Sequence, residues 1–144
     1  MKTLAQILAE LNRPVLGIDP GESVHQALVV MAQHEVGALL VMEGAKLVGI
    51  FSERDYARKI ILQGKSSRET KVREIMTERV TYLTPEKTVE EAMAVMAGKH
   101  IRHLPVLDAN EQVKGIVSIR DLVRETIAHQ AFIIQQLENY INNG

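Results

Sequence analysis

Gly49-Ile50-Phe51-Ser52-Glu53-Arg54-Asp55 returns as Gly115-Ile116-Val117-Ser118-Ile119-Arg120-Asp121. Working outward from it, Pro20-Gly21-Glu22-Ser23-Val24 is matched by Pro85-Glu86-Lys87-Thr88-Val89, and Met31 by Met96. The step from Asp55 to Asp121 is one longer than that from Pro20 to Pro85 or from Met31 to Met96, so a single residue has been inserted in the second copy's turn. A unit of this length is too small to bury a core alone. Two copies are therefore expected to pack on each other, share one interior and leave a ligand-sized seam between them.

Composition narrows the function. With 46% hydrophobic and 24% charged residues in 144, the chain has the balance of an ordinary soluble globular domain, and two copies make one domain rather than two. A net charge of -1 and the lack of any Lys/Arg run argue against nucleic acid, so an anion site must be local. No cysteine is present, which removes disulfides, thiolate metal sites and Cys nucleophiles together and fits a reducing compartment, with the cytoplasm as the default expectation. Leu4, Ile7, Leu8 and Leu11 form a helical stripe rather than a signal-peptide core. Nothing approaches the roughly 20 apolar residues of a membrane span, so no membrane partner is expected.

Each copy reads as strand, helix, strand, strand, helix, which makes the fold class α/β (α+β): two tandem β-α-β-β-α repeats with pseudo-twofold symmetry, flanked by terminal helices. In the second copy Val80-Thr81-Tyr82-Leu83 reads as a short strand, and Thr88-Val89-Glu90-Glu91 as a capping box that starts a helix. Val89, Ala92, Met93 and Met96 form its apolar face, matched in the first copy by Val24, Ala27, Leu28 and Met31 after Ser23. Leu39 to Met42 and Leu104 to Leu107 read as buried strands. Turns at Glu43 to Lys46 and Asp108 to Glu111 lead to Leu47 to Phe51 and Val113 to Val117. The polar stretch Gln63 to Thr70 connects the copies. From Asp121 to Asn143 a long closing helix carries Leu122, Ile127, Phe132, Ile133, Ile134, Leu137, Tyr140 and Ile141, more apolar residues than one stripe needs, so a subunit contact is expected there.

The repeated turn carries the chemistry. Gly49 and Gly115 allow another group to approach the strand closely. Ser52 and Ser118 fall at a helix start, where free N–H groups and the positive dipole end favour an anion. Asp55 and Asp121, three residues on, present carboxylates that can accept two hydrogen bonds, as from a vicinal diol. Phosphate and ribose together would describe a nucleotide. Ser-x-x-Asp is also close to a capping box, and that reading stands beside the first.

A second cluster, Lys99-His100-Ile101-Arg102-His103, precedes a buried strand, and its counterpart His34-Glu35-Val36-Gly37-Ala38 is nearly uncharged at its last three positions. Across a pseudo-twofold axis, Arg102 and His103 would face Ser52 and Asp55, making one cleft phosphate-friendly and the other, with Val36, Gly37 and Ala38, more apolar. Alternatively Arg102 pairs with Asp55 as an ion pair. His100 and His103 lack a third ligand at a metal-binding interval, so no metal is expected. Ser52 has no evident general base, so no catalysis is expected either.

Together with Ile101-Arg102-His103-Leu104-Pro105-Val106, these features resemble a tandem pair of CBS domains, a Bateman module, over nearly everything from Pro14 to Asp121. Val72 to Thr77 looks like the family's entry to a copy. The resemblance implies one module over residues 1–144: a first repeat at 12–62, linker and entry at 63–76, a second repeat at 77–128 and a C-terminal helix at 129–144. It implies clefts for AMP, ADP, ATP, NAD or S-adenosylmethionine. Asp55 and Asp121 match the ribose-binding Asp, Ser52 and Ser118 the Ser/Thr beside it, and Arg102 and His103 the phosphate contacts, although the more familiar order is His then Arg. Adenine would lie among Thr77, Val80 and Ile101 in one cleft and Leu16, Val36 and Ala38 in the other; Gly37, Arg54 and Arg120 complete the candidate set. The second cleft is expected to lack matched positive charge. The family further implies a non-catalytic sensor, homodimeric through its helices, that passes ligand occupancy to a client protein with no enzyme domain attached. The rival expectation is a structural dimer module with vestigial, empty clefts.

Overall fold

The computed structural model describes residues 1–143; Gly144, the last residue of the expected C-terminal helix, lies outside the described residues. In chain order the elements are α1 (Leu4–Leu11), β1 (Gly17–Ile18), α2 (Val24–His34), β2 (Ala38–Glu43), β3 (Lys46–Ser52), α3 (Glu53–Tyr56) continuing into a π-helical turn (Ala57–Ile61), α4 (Val72–Ile75), α5 (Val89–Lys99), β4 (His103–Leu107), β5 (Val113–Ser118) and α6 (Ile119–Asn143).

The first sheet has the order β1-β2-β3, with β1 parallel and β3 antiparallel to β2; the second pairs β4 with β5 antiparallel. The strand expected at Val80 to Leu83 is reduced to one parallel bridge between Leu83 and Val106, held by Leu83 N–H to Pro105 O at 3.1 Å and Leu107 N–H to Leu83 O at 3.0 Å. Thr77, ahead of it, is instead committed to the other sheet, where it bridges Ile50 of β3 through two backbone bonds of 2.9 and 3.0 Å. The inserted residue lies where it was expected. Met42 pairs with Leu47 and Leu107 with Val113, and the longer second turn uses Glu111 at φ 60 to close.

Sequence chemistry fixes the helix starts. Thr3, Ser23 and Thr88 cap α1, α2 and α5 by accepting from the backbone N–H of Gln6, Gln26 and Glu91. The expected reciprocal bond from Glu91 is not made, so at α5 the cap is one-sided. Val24, Ala27 and Met31, and likewise Val89, Ala92 and Met96, are buried as their spacing required.

The expectation of one shared interior is corrected. There are two apolar clusters, one around Val24, Met31, Leu39, Phe51, Ile60, Val72 and Ile75, the other around Leu4, Ile7, Val89, Met96, Leu104, Val117 and Leu122. Each is completed by the helix that enters the opposite repeat. Val72 N–H donates to Glu22 O and Val24 N–H to Thr70 O, both at 2.9 Å, which ties α4 to the start of α2; Leu4 N–H to Lys87 O at 2.8 Å and Val89 N–H to Lys2 O at 3.1 Å tie α1 to α5 in the same way. The two glycines explain how close the exchanged segments come. A Cβ on Gly49 would lie 2.6 Å from Met76 Sδ, and one on Gly115 2.7 Å from Leu8 Cδ2. The group that approaches each strand is a core side chain of an entry segment. Exchange of entry helices therefore locks the repeats together and leaves two clefts between them.

Candidate functional site

Both Ser-x-x-Asp turns form at a strand-to-helix junction, and both are caps. Asp55 N–H donates to Ser52 Oγ at 3.2 Å while Ser52 N–H donates to Asp55 Oδ2 at 3.0 Å; in the second copy the same two bonds measure 3.2 and 2.8 Å between Ser118 and Asp121. Capping does not consume the carboxylates. Asp55 Oδ1 faces Thr77 Oγ1 at 3.3 Å and Lys59 Nζ at 3.1 Å. Asp121 meets Arg13 end-on, Nη1 to Oδ1 at 3.1 Å and Nη2 to Oδ2 at 2.6 Å. Both aspartates are buried, side chains included, yet line a cleft wall.

The first cleft, about 480 Å³, is lined by Ser52, Arg54, Asp55, Thr77, Val80, Ile101, Arg102 and His103, all candidates from the sequence. The second, about 760 Å³, gathers Leu16, Val36, Gly37, Ala38, Ser118, Arg120 and Asp121. Two repeats related by a pseudo-twofold axis thus bring each copy's acidic turn opposite the other copy's strand entry. Gly37, Glu53, Arg102 and His103 line both clefts and form the wall between them.

Several expectations about charge change. Arg102 makes no ion pair with Asp55, whose cationic neighbour is Lys59 on the π-helical turn; there the ammonium also donates to Ile75 O at 2.9 Å. Arg54 turns away from the acidic turn and donates to His100 O at 2.6 Å, closing the end of α5, where His100 adopts φ 55. The second cleft does not lack positive charge, because Arg13, Arg102, Arg120 and Arg124 all line it. Arg13 escaped notice because it lies outside the repeated motif, in the segment after α1. Lys59, four residues beyond Asp55, carried a helical-spacing signal that could have found it.

The electrostatics follow from burial. Burial pushes the His103 imidazole below its ordinary value; Asp121 opposes this, while the charges of Arg102, Arg13 and Arg54 add to it. For Asp121, burial works to raise the carboxyl, but the bonds from Arg13 and the Ser118 N–H outweigh it and hold the group below the usual carboxylate range. In the first cleft Arg58, Arg79, Lys99 and Arg102 line the wall without an ion pair among the described residues. Four uncompensated cations around a half-open cavity attract an anion with several charges. No group of three or more His, Cys, Asp or Glu is placed to hold a metal among the described residues.

The arrangement has known counterparts. The CBS domain model matches residues 5–62 and 72–127. The chain belongs to the CBS-domain family. It is 44% identical over 128 residues to the CBS domain-containing protein CBSX3, mitochondrial, of Arabidopsis thaliana, covering 85% of this chain and 62% of that relative's length. Among solved structures, a putative signal-transduction protein with CBS domains from Burkholderia ambifaria MC40-6 superposes with a TM-score of 0.85 at 44% identity, over 90% of this chain and 96% of that one. The CBS domain pair of protein MJ0100, solved in complex with 5'-methylthioadenosine and S-adenosyl-L-methionine, gives a TM-score of 0.80 at 26% identity, over 90% of this chain and 98% of that one. A CBS pair is a regulatory module, and a structural neighbour of this chain binds adenosine-containing ligands. No helix among the described residues is long and apolar enough to cross a membrane.

Proposed function

We propose that this CBS pair is a non-catalytic sensor that binds an adenosine ligand in the clefts between its repeats and passes occupancy to a partner. The observation that carries the reading is the pairing, within the first cleft, of Asp55 with the uncompensated cations Arg58, Arg79, Lys99 and Arg102. A carboxylate at a helix start suits a ribose diol, and the cations suit the phosphates of AMP, ADP, ATP or NAD. The MJ0100 complex supports the adenosine class. In this reading Ser52, Asp55, Thr77, Val80, Ile101, Arg102 and His103 contact one ligand. Leu16, Val36, Gly37, Ala38, Ser118, Arg120 and Asp121 contact a second. Arg54 supports the first cleft by anchoring α5.

Transmission follows from connectivity. Ser118 and Asp121 are both a cleft wall and the cap of α6, a helix of 25 residues whose Ile127, Phe132, Ile134, Leu137, Tyr140 and Ile141 are exposed. We assign α6 to pairing with a second copy, with a client protein reading the resulting state. Ligand then acts by favouring one state of the pair in proportion to its differential affinity. The site of action in this reading is the cytoplasm, a compartment that differs from that of the mitochondrial plant relative.

The second reading, an interaction module with empty clefts, is favoured by one observation: both aspartates have a structural role as caps. Thermal unfolding with AMP, ADP, ATP, NAD and S-adenosylmethionine, with GTP as control, separates the two. Ligand at 100 times its Kd adds about 2.7 kcal/mol to stability. The sensor predicts a concentration-dependent rise for adenosine ligands that is absent with GTP and reduced by Asp55→Asn. The interaction module predicts no rise with any of them at millimolar concentration after removal of co-purified nucleotide.

A further inference from the structure

The clefts are built from equivalent turns, yet their acidic groups are guarded differently. In the first, Asp55 meets a neutral hydroxyl, Thr77 Oγ1, and a single ammonium that it shares with Ile75 O. In the second, one guanidinium covers both oxygens of Asp121 and also donates to Ile116 O at 2.8 Å. That side chain is delivered from the segment that follows α1. Asn12 ends α1 in the left-handed region at φ 43, and Pro14 confines Arg13 to extended backbone, so the side chain is presented across the cleft mouth. It is partly exposed, whereas Asp121 is buried; the exposed partner is the one free to move.

A carboxylate has about four acceptor sites and Asp121 commits three of them to Arg13 and the Ser118 N–H, so a diol donating two hydrogen bonds must take at least one position that Arg13 now fills. Displacing a planar fork from a buried carboxylate forfeits two charge-assisted bonds. The loss is offset only if the guanidinium finds a new anion nearby. Arg102, Arg120 and Arg124 share the cleft, and they disfavour a bare cation released among them unless a negative group arrives with the ligand.

Resting on the adenosine-sensor reading, we infer that Arg13 sets the specificity of the second cleft: it latches Asp121 against neutral nucleosides and releases it to an adenosine ligand that brings its own anion beside the ribose. The first cleft, where no guanidinium bridges both oxygens of Asp55, takes its ligand without such a latch.

The test uses the full chain and backbone amide NMR, in which Ser118 and Asp121 report the second cleft and Ser52 and Asp55 the first. Adenosine and AMP are titrated into the wild type and Arg13→Gln. The expected result is that AMP moves the Ser118 and Asp121 signals of the wild type at far lower concentration than adenosine does. In Arg13→Gln, adenosine affinity at those signals rises about tenfold and the preference for AMP collapses. Unchanged or weakened adenosine binding in Arg13→Gln overturns the latch. If Arg13→Gln does not fold, Arg13→Lys, which keeps the charge and loses the fork, carries the test with a smaller rise expected. Response at Ser52 and Asp55 with none at Ser118 and Asp121 in either protein overturns the latch and leaves the sensor standing. Silence in both clefts overturns both.

Discussion

Gly37 and His103 meet across the axis that relates the two repeats: a Cβ on Gly37 would lie 3.4 Å from both Cε1 and Nε2 of the imidazole, and 3.6 Å from Glu53 Oε1. All three residues belong to the wall shared by the clefts. An alanine methyl fits there in ordinary contact, whereas a larger side chain must push the imidazole and the carboxylate into the cavities. Gly37→Leu is therefore expected to abolish ligand-induced stabilisation from both clefts, while Gly37→Ala retains it. Thermal unfolding with and without AMP checks this, and retention by Gly37→Leu would show that the shared wall does not shape the sites.

The two strand glycines are equivalent in sequence but not in what surrounds them. At Gly115 the nearest atoms to an added Cβ belong to the Leu8 side chain, which can rotate; at Gly49 it meets Met76 and, at 3.1 Å, the backbone Thr77 O. That carbonyl is fixed by its bond from Ile50 N–H at 3.0 Å. Overpacking costs about 1–3 kcal/mol, so Gly49→Ala is expected near the upper end and Gly115→Ala near the lower. Urea unfolding measures both. Adding Leu8→Ala to Gly115→Ala should remove the clash term while introducing a cavity, so the pair will be non-additive.

Much of this was legible in the residues because duplication amplifies weak signals. A single Gly-x-x-Ser-x-x-Asp turn is ambiguous, but two of them with matching Ser23 and Thr88 caps fix the strand, helix and cleft positions together. What escaped was whatever the repeat does not copy. Arg13 has no basic counterpart in the segment after α4, where Thr77 faces Asp55 instead, and the exchange of α1 and α4 is set by packing against Gly49 and Gly115 rather than by local pattern. The Val80 to Leu83 segment has β-branched residues suited to a strand. It does not extend: Thr77 ahead of it bridges Ile50 of the opposite sheet, and within the segment Leu83 bridges Val106.

His103 gives the module a pH dependence of known sign. Its folded-state value lies below the ordinary 6.5 because burial, Arg102, Arg13 and Arg54 outweigh Asp121. The unfolded chain then binds more protons between the two values, so this contribution to stability is present above about pH 6.5 and is lost as pH falls through the folded value. His103→Gln should flatten the corresponding limb of the stability-pH curve. Glu53 also faces this wall, and an anionic ligand placed beside it would favour the imidazolium. AMP binding should therefore take up a proton as the imidazole's value rises and should tighten as pH falls, whereas His103→Gln should bind with little proton uptake. Calorimetry in buffers of different ionisation enthalpy reads this directly.

Beyond its first turns, α6 carries an apolar stripe that its own chain leaves exposed. Ile127, Ile134 and Ile141 repeat every seven residues, Val123 lies four before Ile127 and Leu137 lies between Ile134 and Ile141, the spacing of a and d seats in a coiled coil, with Gln130 at the seat between Ile127 and Ile134. Ile133 and Tyr140 widen the stripe on one side. Isoleucine at the a seats with Leu137 at a d seat suits two-stranded packing, and a second copy of the same helix is a complementary surface for it. Leu137, 56% exposed, contributes little to the fold of a single chain but would be central to such a pair. Leu137→Asp is expected to convert dimer to monomer in sedimentation at micromolar concentration. It should also remove the dependence of the unfolding temperature on protein concentration and leave adenosine-ligand binding at the first cleft intact. A wild-type chain that sediments as a monomer, or a Leu137→Asp chain that stays dimeric, would remove α6 from the interface.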